Sequence, residues 1–246
     1  MKSSERHKIK ENEFAQTVAR TRDMVNERPR EVATIAIAVL GVAIAVGGFF
    51  AWRASRDGKA TSLLASALAV AEAPVVTPPP PAPGSPPPIQ PPGSYRTERE
   101  RLEAAVPLLQ RAADAYPNND AGITARYRLA ASLAELGRYS EAEQRYQEVA
   151  DKAGRSIYGR TARLGVADVQ VAQGKYDNAI TIYTEISRDP NAQIPVDGVL
   201  MQLGRAYTRA GKKDEAAGAF NRVINDFPES LFTADARREL ELVKKS

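Results

Sequence analysis

Two patterns of hydrophobic positions divide the chain, and they predict different elements. The first is a block. Val32 to Trp52 run for 21 residues without a charge. A helix rises ~1.5 Å per residue, so about 20 residues cross the ~30 Å hydrocarbon core of a bilayer. The block therefore predicts a single transmembrane helix over residues 32–53. Arg28, Arg30 and Glu31 bound it on one side. Trp52 and Arg53 bound it on the other, where an aromatic ring and a cation suit the headgroup layer. The apolar run of a cleaved signal peptide is shorter, about 7–15 residues, and ends at a small-x-small site. Phe50-Ala51-Trp52-Arg53 offers no such site, so the segment reads as an uncleaved signal anchor.

The second pattern is periodic. Gly137, Gly174 and Gly211 stand 37 residues apart both times. Five residues after each comes Ala142, Ala179 or Ala216. Nine after comes Tyr146, Tyr183 or Phe220, and twelve after comes Val149, Ile186 or Val223. Such a period predicts a helix–turn–helix unit stacked in a solenoid. Each glycine is expected in the left-handed conformation that ends a first helix. Ser140, Asp177 and Asp214 stand where the second helix wants an N-cap. The alanine lets the two helices approach. The aromatic and aliphatic side chains share one face and are expected to fill the seam with the next unit.

These units map to residues 121–154, 158–191 and 196–228. Upstream, Ala105, Leu109, Ala112 and Pro117 keep the second-helix spacing and predict a helix over 97–118. Pro107 should kink that helix or mark its true start. Ser62 to Ala73 is rich in alanine and leucine, so residues 54–73 read as the first helix of the same unit. A proline-rich linker or insertion, residues 74–96, then splits that unit. A cap helix over 230–246 carries Leu240 and Val243 on one side and charges on the other. The predicted fold is all-α: one transmembrane helix, then a short helical solenoid of about three repeats, a split first repeat and a capping helix.

Composition narrows the chemistry. The 246 residues include no cysteine and one histidine, His7. Disulfides, zinc–thiolate sites, iron–sulfur clusters and cysteine nucleophiles are thereby excluded. Beyond the apolar block no histidine is available as a general base, and no GxxxxGK[ST] phosphate loop occurs. Asp168, Asp177, Asp189 and Asp197 are scattered over helices and loops. No catalytic residue, metal ligand or cofactor site is predicted, and the chain is not read as an enzyme.

Charge adds topology. Before Val32 there are 8 Lys and Arg against 6 Asp and Glu; from Ala54 onward there are 25 against 24. The large C-terminal part is close to neutral and gives no case for nucleic-acid binding. The cation-rich flank assigns residues 1–31 to a cytoplasmic tail and the rest to the other side. Phe14, Val18, Met24 and Val25 offer that tail one apolar stripe. Of the 17 prolines, 11 lie between Pro74 and Pro92, a density that favours polyproline II. Ala43, Gly47 and Ala51 form a small-xxx-small face through which a homo-oligomer could close.

The periodic positions resemble the tetratricopeptide repeat. In the third unit Leu203, Gly204, Tyr207, Gly211, Ala216, Phe220 and Pro228 stand at the motif positions. The first keeps Leu129, Ala130 and Leu133, with Gly154 in place of the closing proline. The second has Val166, Ala167 and Gln170, with Pro190 near the proline position. The resemblance implies a channel lined by the first helices and open to peptides or partner helices. The positions carried over are Thr124, Tyr127, Ala131, Ala134 and Glu135; Thr161, Leu164, Asp168, Val171 and Ala172; and Gly198, Met201, Arg205, Thr208 and Arg209. Of these, Tyr127, Glu135, Leu164, Asp168, Met201, Arg205 and Arg209 are the candidate partner-binding residues. Tyr127, Leu164 and Met201 are equally open to a role in inter-helix packing. The clamp that grips a C-terminal carboxylate in some relatives is missing, because Tyr127, Leu164 and Ala131 replace its lysines and asparagines.

The layout of residues 30–246 resembles the ancillary SecYEG translocon subunit family; the proline-rich stretch is a departure from it. That resemblance implies a single-pass protein of a bacterial inner membrane with a periplasmic C-terminal domain and no cofactor. Its partners would be Sec translocon subunits, exported client proteins or periplasmic chaperones. The repeat domain is also similar to those of the cell-division coordinator and of lipoproteins of outer-membrane assembly. They imply the alternative, an envelope scaffold for division or for outer-membrane and cell-wall assembly. Those relatives carry signal peptides or lipidated cysteines, and neither is read in this sequence.

Overall fold

The structure, a computed structural model, describes residues 29–78, 89–189 and 193–245. Most of the expected cytoplasmic tail with its apolar stripe, residues 79–88 of the proline-rich stretch, and Pro190 lie outside the described residues. Among the described residues the regular elements are all helices. The chain divides into two compact units, with the boundary between Arg56 and Asp57.

The first unit holds the apolar part of helix α1, Pro29–Ala71. No part of its most apolar stretch is buried. Ile35, Leu40, Ile44 and Phe50 are each 60–66 % exposed, so the block is not a core helix. It is a candidate membrane span, long and apolar enough to cross a bilayer. The helix does not stop at Arg53. It runs on to Ala71, so the span and the helix expected after it are one element.

The second unit contains the end of α1, then α2 (Glu98–Ala115), α3 (Asp120–Glu135), α4 (Tyr139–Ala153), α5 (Ile157–Ala172), α6 (Tyr176–Arg188), α7 (Val196–Arg209), α8 (Lys213–Asp226) and α9 (Thr233–Lys245). From α2 onward each helix packs on the next, and α3 also touches α5. This is a helical solenoid of tetratricopeptide type.

The turns inside the repeats follow one design. Gly137, Gly174 and Gly211 have φ of 77°, 76° and 75°, a left-handed region open to glycine at no steric cost. The next residue, Arg138, Lys175 or Lys212, donates its N–H back to Leu133, Gln170 or Tyr207 at 2.9, 2.8 and 2.9 Å. The glycine N–H itself bonds Ala134, Val171 or Thr208. That pair of bonds is the Schellman motif, and it satisfies the last carbonyls of the first helix. The carbonyls of Arg138, Lys175 and Lys212 then accept from Ala142, Ala179 and Ala216, starting the second helix. One residue thus closes one helix and opens the next.

That geometry overturns the expected caps. The second helices begin at Tyr139, Tyr176 and Lys213, and their cap positions are Arg138, Lys175 and Lys212, without a side-chain cap. Ser140, Asp177 and Asp214 sit inside the first turn instead. Asp177 pairs with Lys212 Nζ at 2.7 Å, tying the second repeat to the third. Lys175 likewise reaches Glu143 of the first repeat at 3.0 Å.

Side-chain caps occur at the starts of α2, α3 and α5, while α7 begins after Pro195 without one. Asn119 accepts from Gly122 N–H at 2.9 Å, and Ser156 from Gly159 N–H at 3.3 Å. A Cβ on Gly122 would lie 1.8 Å from the Tyr116 carbonyl oxygen, and one on Gly159 2.1 Å from that of Gly154. The starts of α3 and α5 therefore pack against the end of the preceding second helix, backbone to backbone. Thr97 caps α2, which runs through Pro107, so that proline lies in mid-helix and does not mark its start.

The core is continuous with the end of α1. Ala67, Leu68 and Ala71 cluster with Ala105 and Leu109 of α2 and with Leu129 and Val166 further along. Arg126 is buried. Its guanidinium donates to the carbonyls of Ala113 and Pro117 and pairs with Glu148 at 3.0 Å, which stitches α2, α3 and α4 together. The two ends of the proline-rich stretch are held side by side: Val76 N–H donates to Tyr95 O at 2.8 Å, and Tyr95 N–H to Pro74 O at 3.0 Å.

Two glycine substitutions should act in opposite directions. Gly159→Ala drives a methyl into a backbone carbonyl and should cost about 1–3 kcal/mol. Gly218→Ala lies in mid-helix with nothing within 4 Å, and should stabilise by roughly 0.5–1 kcal/mol. Urea unfolding of the full chain reads both; equal shifts of the two midpoints would refute the close helix approach at Gly159.

Candidate protein-binding recess

The first helices of the second and third repeats, α5 and α7, frame a recess of about 350 Å³. Leu164 and Asp168 come from α5, Tyr183 from α6, and Val199, Met201, Gln202 and Arg205 from α7. Ile194 and Pro195 lead into α7, and Phe232 precedes α9. The repeat period builds this site, because Leu164 and Met201 occupy one repeat position and Asp168 and Arg205 another, each pair 37 residues apart.

The polar groups are few. The Tyr183 hydroxyl donates to Asp168 Oδ1 from a part-buried position. Burial pushes the Asp168 carboxyl above its ordinary range; the Tyr183 hydrogen bond pulls it down without cancelling that effect. Burial, then the nearby Asp168 charge, pushes the Tyr183 phenol well above its usual range. Arg205 Nε pairs with Glu239 Oε1 of α9 at 3.2 Å. Gly198 is shaped to its neighbour: a Cβ there would come within 3.3 Å of the Phe232 ring.

Four of the seven candidate residues meet in this recess: Leu164, Asp168, Met201 and Arg205. Met201 is 1 % exposed, so it is floor and packing together. Tyr127, Glu135 and Arg209 do not line the recess. The Tyr127 ring packs edge-on against Tyr146 at 5.5 Å, in keeping with a packing role. Glu135 and Arg209 are exposed and act on Tyr146 and Tyr183 through space.

The aromatic column divides its roles. Tyr146 packs over Gly165 of the next unit, where a Cβ would meet its ring at 2.6 Å. Phe220 packs over Gly204 of its own unit, where the same distance is 2.4 Å. Phe220 also clusters with Ala236 and Leu240 of the cap helix, so its ring meets both its own first helix and the unit that follows. Sequence reasoning missed Tyr183, Ile194, Pro195, Val199, Gln202 and Phe232 as site residues. Of the missed residues, Ile194, Pro195 and Phe232 lie in connecting segments that a helix-by-helix alignment does not reach. The signal that was available is Phe232 beside Leu231, an apolar pair ahead of a polar helix.

The raised Asp168 carboxyl has a consequence for stability. A carboxyl that holds its proton more tightly in the folded state destabilises the fold as pH rises from the unfolded pKa through the folded one. Asp168→Asn keeps an acceptor for Tyr183 and carries no charge. The melting temperature of the variant, relative to the parent, should therefore climb as pH rises through and above the ordinary carboxyl range; a flat or falling difference would refute the raised Asp168 carboxyl.

Comparison with known proteins agrees with the fold. No curated protein matches the chain. The solved structure of nearly identical TPR-like repeats assigned to a kinesin light chain of Podosopora anserina aligns with a TM-score of 0.51 and 16 % identity, over 60 % of this chain and 80 % of that one. A MamA variant is 18 % identical over 59 % of this chain and 78 % of its own, with a TM-score of 0.44. BtubC from P. vanneervenii is 18 % identical over 50 % of this chain and 56 % of its own, with a TM-score of 0.46. At this identity the likeness to the first of these concerns the fold alone. The tetratricopeptide repeat-like domain family matches residues 32–241, most of the chain, and the protein belongs to that family.

Proposed function

We propose that the protein is a membrane-anchored interaction module that stands beside the Sec translocon and assists newly exported chains in the periplasm. The observation that carries the interaction role is the recess between α5 and α7, with its apolar walls and its pair of polar handles, Asp168 and Arg205. The resemblance of the whole layout to the ancillary translocon subunits supports the finer role: a cation-rich N-terminal flank, one candidate span and a repeat domain after it. In this reading α1 carries the anchor in its first part and the first helix of the split repeat in its second. The proline-rich stretch is an insertion within that repeat.

Topology is tested first. The chain has no cysteine, so Ser4→Cys and Lys245→Cys each give a single thiol. A membrane-impermeant maleimide should label Lys245→Cys in cells with a permeable outer membrane, and Ser4→Cys only after lysis. The reverse labelling would overturn the orientation.

The partner is tested by in-cell photocrosslinking from Gln202 and Leu164, which line the recess while Met201 is too buried to serve. Adducts with Sec channel subunits or exported precursors are expected. Adducts confined to division or wall-synthesis proteins would replace this reading with the envelope scaffold. Crosslinks from other faces of the domain but none from these two positions would remove the recess as the binding site.

A further inference from the structure

Asp168 is the one feature of the recess that the apolar walls do not explain. Among the described residues its carboxylate has a single hydrogen-bond donor, the Tyr183 hydroxyl, and no ion pair. A carboxylate has room for about four donors across its two oxygens. The recess is otherwise walled mainly by Leu164, Ile194, Val199, Met201 and Phe232. Asp168 is exposed, and a ligand seated in the recess would bury its carboxylate, which is costly unless a cation meets it.

Arg205 also faces the recess, but its charge is spent. It pairs with Glu239 at 3.2 Å, so the arginine and that glutamate cancel, and Asp168 leaves the recess net negative. Arg209 acts on the Tyr183 hydroxyl through space, yet forms no ion pair with Asp168 among the described residues. An acidic ligand would meet a carboxylate without an ion-pair partner among the described residues and an arginine already engaged. A purely apolar ligand would bury the carboxylate without a partner. A basic side chain fits both parts of the site, since lysine and arginine lay a methylene stem along apolar surface and carry the charge at its tip.

We propose that this recess takes the lysine or arginine side chain of an extended, otherwise apolar segment of a protein partner, with Asp168 as its counter-ion. The stem lies between Leu164, Val199 and Phe232, and the cation reaches the Asp168 oxygens beside the Tyr183 hydroxyl. Glu239 keeps Arg205 from repelling it. This deepens the interaction-module reading and rests on it, because it names which segments of a client the module grips.

The test uses the full chain in lipid nanodiscs and three short dye-labelled peptides of alanine, leucine and serine. They differ at one central position, which is lysine, norleucine or glutamate, and binding is read by fluorescence anisotropy. The lysine peptide should bind about tenfold tighter than the norleucine peptide, the scale of one charge-assisted hydrogen bond, and the glutamate peptide weakest. Asp168→Asn keeps the Tyr183 acceptor and should erase the lysine preference while the circular dichroism spectrum is unchanged. Glu239→Gln frees Arg205 and should weaken the lysine peptide while strengthening the glutamate one. Equal binding of all three peptides would overturn the counter-ion assignment and leave the interaction module standing. No binding by any of them would also overturn it, and the crosslinks from Gln202 would then decide the broader reading separately. A lysine preference that survives Asp168→Asn would move the anionic site elsewhere on the domain.

Discussion

The architecture depends on one backbone arrangement, the turn in which a left-handed glycine closes a helix and the next residue opens another. A helix ends with four carbonyls that have no partner within it. In a solenoid those carbonyls lie against neighbouring helices, where an unpaired acceptor is expensive. The Schellman bonds at Gly137, Gly174 and Gly211 settle them within two residues. No length is left for slack, so the two helices of a unit are forced back to back. The alanine five residues later is then obligatory in size, and all three copies are fully buried. The cationic residue that shares the turn has its backbone committed twice, which leaves only its side chain free. In the second and third repeats that side chain reaches an acid of the preceding repeat.

Once the turns are fixed, equivalent positions fall on the same faces, and small differences among the copies decide what each position does. The aromatic column shows this. Tyr146 and Phe220 each lie over a glycine that leaves room for a ring, Gly165 and Gly204. Tyr183 instead bonds Asp168. The neighbouring column reads Ala131, Asp168 and Arg205 in the three repeats. Only the second and third copies bring polar atoms to the recess. The site is thus a local departure from a repeated design, and a solenoid can change one unit without rebuilding the others because each unit contacts mainly its neighbours.

The parts of this fold that were legible in the sequence are those set by periodicity and by steric rule. The 37-residue spacing and the three glycines located the turns, because few other residues tolerate that backbone conformation. The caps were misread for the same reason that they looked plausible. Ser140, Asp177 and Asp214 are good capping residues in the right neighbourhood, but the Schellman turn had already supplied the opening residue, and side-chain preference lost to backbone geometry. A second column was missed: Asn119 and Ser156, with Gly122 and Gly159 three residues on, repeats with the same period. The third repeat breaks it with Gln193 and Val196, which hid the pattern. In the site, helix positions 164, 168, 201 and 205 were readable from the alignment, while Ile194 and Phe232 were not. Loop residues obey no period, and only packing reveals where they land.

The last helix has a larger part in the recess than its composition suggests. As sequence, α9 is a solvent-facing cap: Leu240 and Val243 are buried on one side and charges fill the other. A cap is needed because the final repeat would otherwise expose an apolar face. Here the cap also supplies Glu239, which neutralises Arg205, and it is preceded by Phe232, which lies against Gly198 and walls the recess. Shape and charge balance of the site therefore both pass through the end of the solenoid. A change that loosened α9 would uncover Arg205 and remove one wall of the recess together. The cap and the shape of the recess are one structural problem, solved by neighbouring residues of one segment.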